Sequence, residues 1–262
     1  MKNIVIAAGY ATRLGELTKN FPKPLLKIGE KSILERMLDD IDGIDDITEH
    51  VIVTNHKFAH IFEEWKTTVN YRKPITIVDD GTSTNETRLG AVCDLLLAIK
   101  MLDERQTSPS PNAKYVEEDS DLLVVAADNL LFFSFKGFVD FAKEKGTSCI
   151  MCHEQKELEK LQRTGVVVLD DDNCVLNMEE KPLAPKSNWA VPPFYIYLKK
   201  DLALVRGAVA NGCGKDAPGN LAHYLCERTT MHAWPMAGTG ENLRFDIGSI
   251  DTYREACEKF KK

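Results

Sequence analysis

Short runs of β-branched apolar residues alternate with amphipathic stretches along the first half of the chain, and this alternation restricts the fold more than any other feature. "NIVIAA", "HVIVTN", "KPITIVDD" and "DLLVVAAD" read as buried strands bounded by polar or turn residues. Between them, "SILERMLDDI" sets Ile33, Leu34, Met37, Leu38 and Ile41 at helical spacing. Ser32 and Glu35 form an S-x-x-E capping box at its start. "AHIFEEW" reads as helix, and "ETRLGAVCDLLLAIKML" carries Leu89, Val92, Leu96, Ile99 and Leu102 on one stripe. Strands and helices in this order predict a mostly parallel sheet with crossover helices on its faces.

The rhythm changes after "TSCIMC". "TGVVVLDDDNCVLNMEEKP" reads as a hairpin around Asp170 to Asn173, and "PPFYIYL", "MHAWPM" and "NLRFDIG" as further strands. "FKGFVDFAKEKG", "DLALVRGAVANG", "PGNLAHYLCER" and "SIDTYREACEKF" read as helices, the first closed by Gly146. The polar stretch "DERQTSPSPNAKYVEEDS" reads as a long surface loop. No linker or internal repeat divides the chain, so one continuous α/β domain over residues 1–262 is expected. No hexapeptide repeats follow "DTYREACEKF", so a fused acyltransferase is not expected.

A formal net charge of -7 does not suit nonspecific nucleic-acid binding, which needs a basic footprint. An acidic protein that handles phosphates must gather positive charge locally or borrow a metal ion. The seven cysteines show no disulfide spacing. Cys149 and Cys152 lie on one predicted strand, where positions three apart face opposite ways, so they are not a redox or metal pair. Reduced thiols suit the cytoplasm. The apolar run in "MKNIVIAAGY" is too short for a signal peptide, and no segment approaches the ~20 apolar residues that span a bilayer.

The stretch "AAGYATRLGELTKNFPKPLL" carries the chemistry. It places a small-residue turn, the fixed cation Arg13, and Lys23 between Pro22 and Pro24 directly after the first strand. Three readings compete: a plain strand-to-helix turn, a dinucleotide fingerprint, and a phosphate cradle. The fingerprint needs G-x-G-x-x-G, and Ala11 and Leu14 stand where its later glycines belong. A P-loop at "GCGKD" fails as well, with Asp216 in place of Ser or Thr and Val209 in place of the first glycine. For the cradle, small residues let backbone N–H groups approach an anion, Arg13 adds a forked cation, and Lys23 holds a second anion.

"AAGYATRL" with "PKPLL" resembles the N-terminal signature of the sugar-1-phosphate nucleotidylyltransferases. The resemblance continues in order through "TRLGAV", "VVAADN", "TGVVVLDDDN", "EEKP", "FYIY" and "FDIGSIDTY". It implies a Rossmann-like, mostly parallel central sheet flanked by helices, of the glycosyltransferase-A-like nucleotidyltransferase kind, with a small antiparallel sugar-side portion. The nucleotide half would cover about residues 1–130 and the sugar-phosphate half about 131–262. The implied reaction joins a nucleoside triphosphate to a sugar 1-phosphate and releases pyrophosphate, with Mg²⁺ as cofactor. By resemblance, Ala8, Gly9, Tyr10, Ala11, Thr12 and Arg13 face the triphosphate, with Arg13 on the β- and γ-phosphates. Leu89 and Gly90 lie against the base, and Ala127 is also on the nucleotide side. Lys23 contacts the sugar phosphate. Gly165, Glu180, Lys181 and Tyr195 meet the sugar, and Asp128 and Asp246 hold the metal. Arg13, Lys23 and Asp128 are the implied catalytic set.

Two positions depart from the family pattern. Ala11 stands where glycine is usual, at a cost of roughly 1–2 kcal/mol if the backbone there is left-handed. Pro192 and Pro193 precede "FYIY" where a glycine backbone usually meets the sugar, and proline has no N–H to offer. Independently of family, Asp128 ends an apolar strand, and ligands of open α/β sheets bind at that edge. Asp246 reads equally as a turn aspartate, Glu180 and Lys181 as a solvated hairpin end, and Tyr195 or Tyr197 as core. A phosphate monoester has a second pKa near 6 and is nucleophilic at neutral pH without a general base. That fits a sequence with no Ser/His/Asp or Cys/His set. The rivals are a cytidylyltransferase for a non-sugar phosphate such as phosphocholine, a silent sensor of nucleotide sugars, and a nicotinamide-dependent dehydrogenase. "VDDGTSTNETRLGAV" loosely resembles the stretch used by cytidylyltransferases, which leans toward a pyrimidine base. The sequence is compatible with a homo-oligomer.

Overall fold

The computed structural model describes residues 1–107, 119–239 and 244–260. Its strands are β1 (Lys2–Ile6), β2 (Lys27–Ile28), β3 (Lys31–Ser32), β4 (Glu49–Thr54), β5 (Ile75–Asp79), β6 (Leu122–Ala126) and β7 (Asn129–Leu131), followed by β8 (Ser148–Glu154), β9 (Gly165–Leu169), β10 (Val175–Glu180), β11 (Trp189–Val191), β12 (Phe194–Tyr197), β13 (Met231–Thr239) and β14 (Arg244–Asp246). Its helices are α1 (Glu16–Lys19), α2 (Ile33–Ile41), α3 (His56–Thr68), α4 (Ala91–Thr107), α5 (Lys136–Lys145), α6 (Leu158–Leu161), α7 (Leu202–Gly207), α8 (Gly219–Cys226) and α9 (Ile250–Lys259).

Among the described residues ten strands form one sheet in the order β10-β9-β11-β8-β12-β6-β1-β4-β5, with β13 also on β8. The β6-β1-β4-β5 portion is parallel, as the alternation of apolar runs and helices predicts. The strands from the second half pair antiparallel, apart from β13, which runs parallel to β8. Strand alternation sends Ile4, Val51, Val53 and Val124 to one face, beneath α4, α7 and α8. It sends Val5, Ile52, Leu123 and Val125 to the other, beneath α2, α3 and α5. Cys149 and Cys152 fall in these two separate cores, as expected for positions three apart on β8. All seven cysteines are free.

Local signals decide the element ends. The Ser32–Glu35 capping box is formed at the start of α2, and Gly146 closes α5 in the left-handed region. Two expectations about α4 are corrected. Leu89 is not part of the helical stripe, because α4 starts at Ala91 and Gly90 has φ +92°. A Cβ at Gly90 would stand 2.6 Å from the Lys215 carbonyl oxygen, so the chain turns sharply there before the helix can begin. The expected loop after Leu102 is helical as far as Thr107, while residues 108–118 lie outside the described residues. No helix among the described residues is long and apolar enough to cross a membrane.

Candidate active site

The carboxyl ends of the parallel strands bring several loops to one sheet edge. The register aligns Ile6 with Val53 and with Ala126, so the turn after β1 and the turn after β6 leave side by side. The first turn is pinned from below. Asn55 Nδ2 donates to the Ala8 carbonyl at 2.9 Å while its Oδ1 caps α3, and Tyr10 Oη meets Thr82 Oγ1 at 3.0 Å. Ala11 takes φ +46°, the left-handed backbone that its departure from glycine makes costly. Thr18 Oγ1 donates to the Ala11 carbonyl at 2.9 Å and helps hold that conformation. Nothing stands within 4 Å of where a Cβ on Gly9 would be, so the turn is open above it. Arg13 is exposed beside this opening.

Lys23 begins a single 3-10 turn, Lys23–Leu25, with Pro22 before it and Pro24 inside it. The prolines fix the backbone, and the side chain is buried. Its Nζ lies 3.5 Å from Asp128 Oδ2 and 4.0 Å from Asp246 Oδ1. Those two acids are far apart in sequence. A short ribbon joins them: β14 pairs antiparallel with β7, which sets Asp246 opposite Asn129. Asn129 Nδ2 donates to Asp128 Oδ1 at 2.5 Å. Partial loss of hydration, then repulsion from Asp128, push the Asp246 carboxyl above the usual aspartate range, while Lys23, Arg244 and Arg13 pull it back.

This acid pair fits a hard divalent cation. Mg²⁺ takes one or two carboxylates and fills its remaining positions with water and phosphate oxygens. Among the described residues no group of three or more His, Cys, Asp or Glu side chains is placed to hold a metal, so a ligand set of two carboxylates is what this edge offers.

Asp128, Asp246, Gly165, Glu180, Lys181 and Tyr195 line one cleft of about 720 Å³. Lys23 stands at its acid-pair end. Arg88 and Ala91, on either side of Leu89 and Gly90, also line it. Arg88 donates to both oxygens of Asp216 at 3.2 Å, tying the Gly90 turn to the segment before α8. The sugar-side residues meet where β9, β10 and α8 converge. A Cβ at Gly219 would stand 1.9 Å from Glu180 Oε2, and one at Gly165 3.2 Å from it, so both glycines make room for that carboxylate. Burial pushes the Glu180 carboxyl up, and Lys181 pulls it back. Tyr195 stacks on Tyr197 with ring centroids 5.9 Å apart, and both are buried. Burial raises both phenols well above their usual range, so neither ionises at neutral pH. The prolines before β12 leave the sheet intact, because the Pro193 carbonyl accepts from Ala126 N at 3.2 Å.

Sequence reasoning did not single out Gly219, His153 or Arg244. Gly219 follows a proline at a helix start, an ordinary pattern that gives no sign of the carboxylate against it. Arg244 sits two residues before Asp246 and therefore on the same strand face, a spacing that points it at the acid pair. His153 ends an apolar strand whose last residues reach the cleft only because β8 extends past β12.

A family profile described as "Nucleotidyl transferase" matches residues 2–262. A glucose-1-phosphate adenylyltransferase of Fervidobacterium nodosum is 25% identical over 97% of this chain and 60% of its own length. One from Bacillus subtilis is 23% identical over 97% of this chain and 65% of its own length. The chain thus spans less than two thirds of these relatives. A solved UDP-glucose pyrophosphorylase complexed with UDP-glucose has the same fold, with TM-score 0.76, 19% identity and coverage of 99% of this chain and 97% of that one.

Proposed function

This chain belongs to the nucleotidyl transferase family, and we propose that it joins a nucleoside triphosphate to a sugar 1-phosphate with release of pyrophosphate. The observation that carries this reading is the seat of Lys23 between Asp128 and Asp246 beside the open turn of residues 7–15. The nucleotide half of the chain, about 1–130, supplies the turn, Lys23 and Asp128. The sugar-phosphate half supplies Glu180, Lys181, Tyr195 and Asp246.

The acceptor phosphate is mostly dianionic at neutral pH and needs no base. An oxygen of that phosphate attacks the α-phosphorus, and the bond to the pyrophosphate oxygen breaks on the opposite side. The difficulty is bringing two anions together in line, so the protein supplies alignment and positive charge. Lys23 draws the acceptor phosphate toward the acid pair. Arg13 and the backbone N–H groups of the 8–13 turn hold the β- and γ-phosphates and neutralise the departing pyrophosphate. Leu89 and Gly90 bound the base, for which we favour a pyrimidine. Glu180 accepts hydrogen bonds from sugar hydroxyls, and Lys181 balances the bridging phosphate. Asp128 and Asp246 would hold Mg²⁺, which supplies charge neutralisation to the phosphates when bound. Seven free thiols suit a reducing compartment such as the cytoplasm.

Pyrophosphate release from ATP, CTP, GTP, UTP and dTTP, each against a panel of phosphorylated sugars and of alcohols including phosphocholine, tests the reaction. The expected result is turnover with at least one sugar 1-phosphate. Turnover with phosphocholine alone would move the protein to the non-sugar class, and no release from any pair would defeat the reading.

A further inference from the structure

Beyond the acid pair, one wall of the cleft is built from the end of β8, residues 155–165 and Arg244. The charged side chains that line it are cationic, and one of them, Lys160, is paired with Glu157 at 2.7 Å. His153, Gln155, Lys160 and Arg163 line the cleft there, and no carboxylate from residues 153–165 does. The carboxylates that line the cleft elsewhere are already engaged. Asp128 and Asp246 face Lys23, Asp216 is forked onto Arg88, and Glu180 lies against Gly219 with Lys181 at 4.0 Å. Arg163 and Arg244 make no ion pair within 4 Å among the described residues, and Arg244 acts on Asp246 only at longer range. Arg244 is held by one long hydrogen bond, 3.3 Å to Asn129 Oδ1.

His153 adds a second donor. It is 2% exposed, and its Nδ1 is sealed from solvent with no hydrogen-bond partner. Burial, then the charge of Arg244, push its imidazole down to about 4, so it is neutral at physiological pH. A buried N–H without an acceptor is rarer than a buried acceptor without a donor. The proton therefore belongs on Nε2, the nitrogen left to meet a ligand. The wall then offers a guanidinium that only Asn129 Oδ1 meets, and an imidazole N–H, with no carboxylate in ion-pair distance of Arg244 among the described residues. A donor-only pair of this kind selects a group that only accepts, and a carboxylate takes both donors best.

We propose that the acceptor substrate carries an acidic group in addition to the phosphate that reacts, received by Arg244 and His153 with Arg163 at the rim. This rests on the reaction proposed above and narrows it. In the reaction proposed above the reacting phosphate would be met by Lys23, Lys181 and the cation that Asp128 and Asp246 would hold, which leaves Arg244 for a second anion. A trimethylammonium head would meet the wrong sign of charge on this wall.

The test compares glucose 1-phosphate with glucuronic acid 1-phosphate, which differ in a single carboxylate. We expect kcat/KM to be about tenfold higher for the acidic member, the range of a charged hydrogen bond. Arg244→Gln is expected to bring the two close together by raising KM for the acid, His153→Leu to do so in part, and Arg163→Gln least. Equal or better use of glucose 1-phosphate would overturn the proposal. So would an Arg244→Gln variant that loses both members equally, since Arg244 would then serve the reacting phosphate. Calorimetric binding of the same two compounds reads the acidic group without turnover. If no pair releases pyrophosphate, tighter binding of the acid that is lost in Arg244→Gln still supports this site while the reaction fails. Equal binding overturns the site.

Discussion

Lys23 carries the most chemistry of any single residue in this molecule. A buried ammonium is retained here because two carboxylates face it, and a substrate phosphate arriving between them would meet a charge that has already lost most of its water. Lys23→Ala is expected to lower kcat by at least about 100-fold, the scale of losing one preorganised charge contact. The far-ultraviolet circular dichroism should be unchanged, and a rate near that of the parent would remove Lys23 from its assigned role. Ala11 shows the opposite situation, a residue working against its backbone. Its left-handed φ costs about 1–2 kcal/mol, while a glycine loses about 0.5–1 kcal/mol in chain entropy. Ala11→Gly should therefore raise the stability by up to about 1 kcal/mol, read as an upward shift of the urea midpoint at constant slope.

Elements in this fold are set by their ends as much as by their faces. The box at the start of α2 closes reciprocally, Ser32 N to Glu35 Oε2 at 2.5 Å and Glu35 N to Ser32 Oγ at 3.2 Å. Backbone bonding holds the Glu35 carboxyl low against the upward push of burial. Ser32→Ala should cost about 1 kcal/mol in urea unfolding, and since α2 packs against Leu25 of the Lys23 turn, any loss of turnover should pass through Lys23. The first residue of α8 acts differently. Gly219 lets Glu180 rest against the helix start, where the backbone N–H groups favour a carboxylate. Gly219→Ala should displace that carboxylate and raise KM for the sugar phosphate about tenfold or more, leaving KM for the triphosphate unchanged. Equal changes in both constants would show a general disturbance of the cleft instead.

At the scale of the whole molecule, pH reaches the fold through a carboxyl outside the acid pair. Asp94, near the start of α4, is nearly sealed from solvent, and its Oδ1 has no partner. Burial, then repulsion from Asp80, push it up to about 7. The folded state thus holds a proton that the unfolded chain releases near pH 4. Stability from this group falls as pH rises from about 4 to about 7 and levels off above that. Asp94→Asn should flatten that slope and stabilise the protein at pH 8 by on the order of 1–4 kcal/mol, measured by urea titrations at pH 5 and pH 8. An unchanged slope would mean that Asp94 ionises normally within the fold.

Local pattern was enough for the parts of this protein that depend on neighbours in sequence. The β-branched runs, the α2 box, the hairpin around Asp170–Asn173 and the small-residue turn before Arg13 are all short-range features, and each formed where the residues indicated. Leu89 misled because apolar spacing continued across Gly90, and spacing alone does not register that the Lys215 carbonyl leaves no room for a side chain there. The cleft itself was legible only in pieces. Asp128 announced itself by ending a buried strand, but Asp246 meets it through the pairing of β14 with β7, a contact across more than a hundred residues. Gly219 under Glu180, and Arg244 beside His153, likewise join segments that share no local signal. Helix, strand and turn preferences are energies of nearby residues, so the sequence alone determined them. Which distant charges share one low-water space is decided when the sheet closes, and only the tertiary structure decided that.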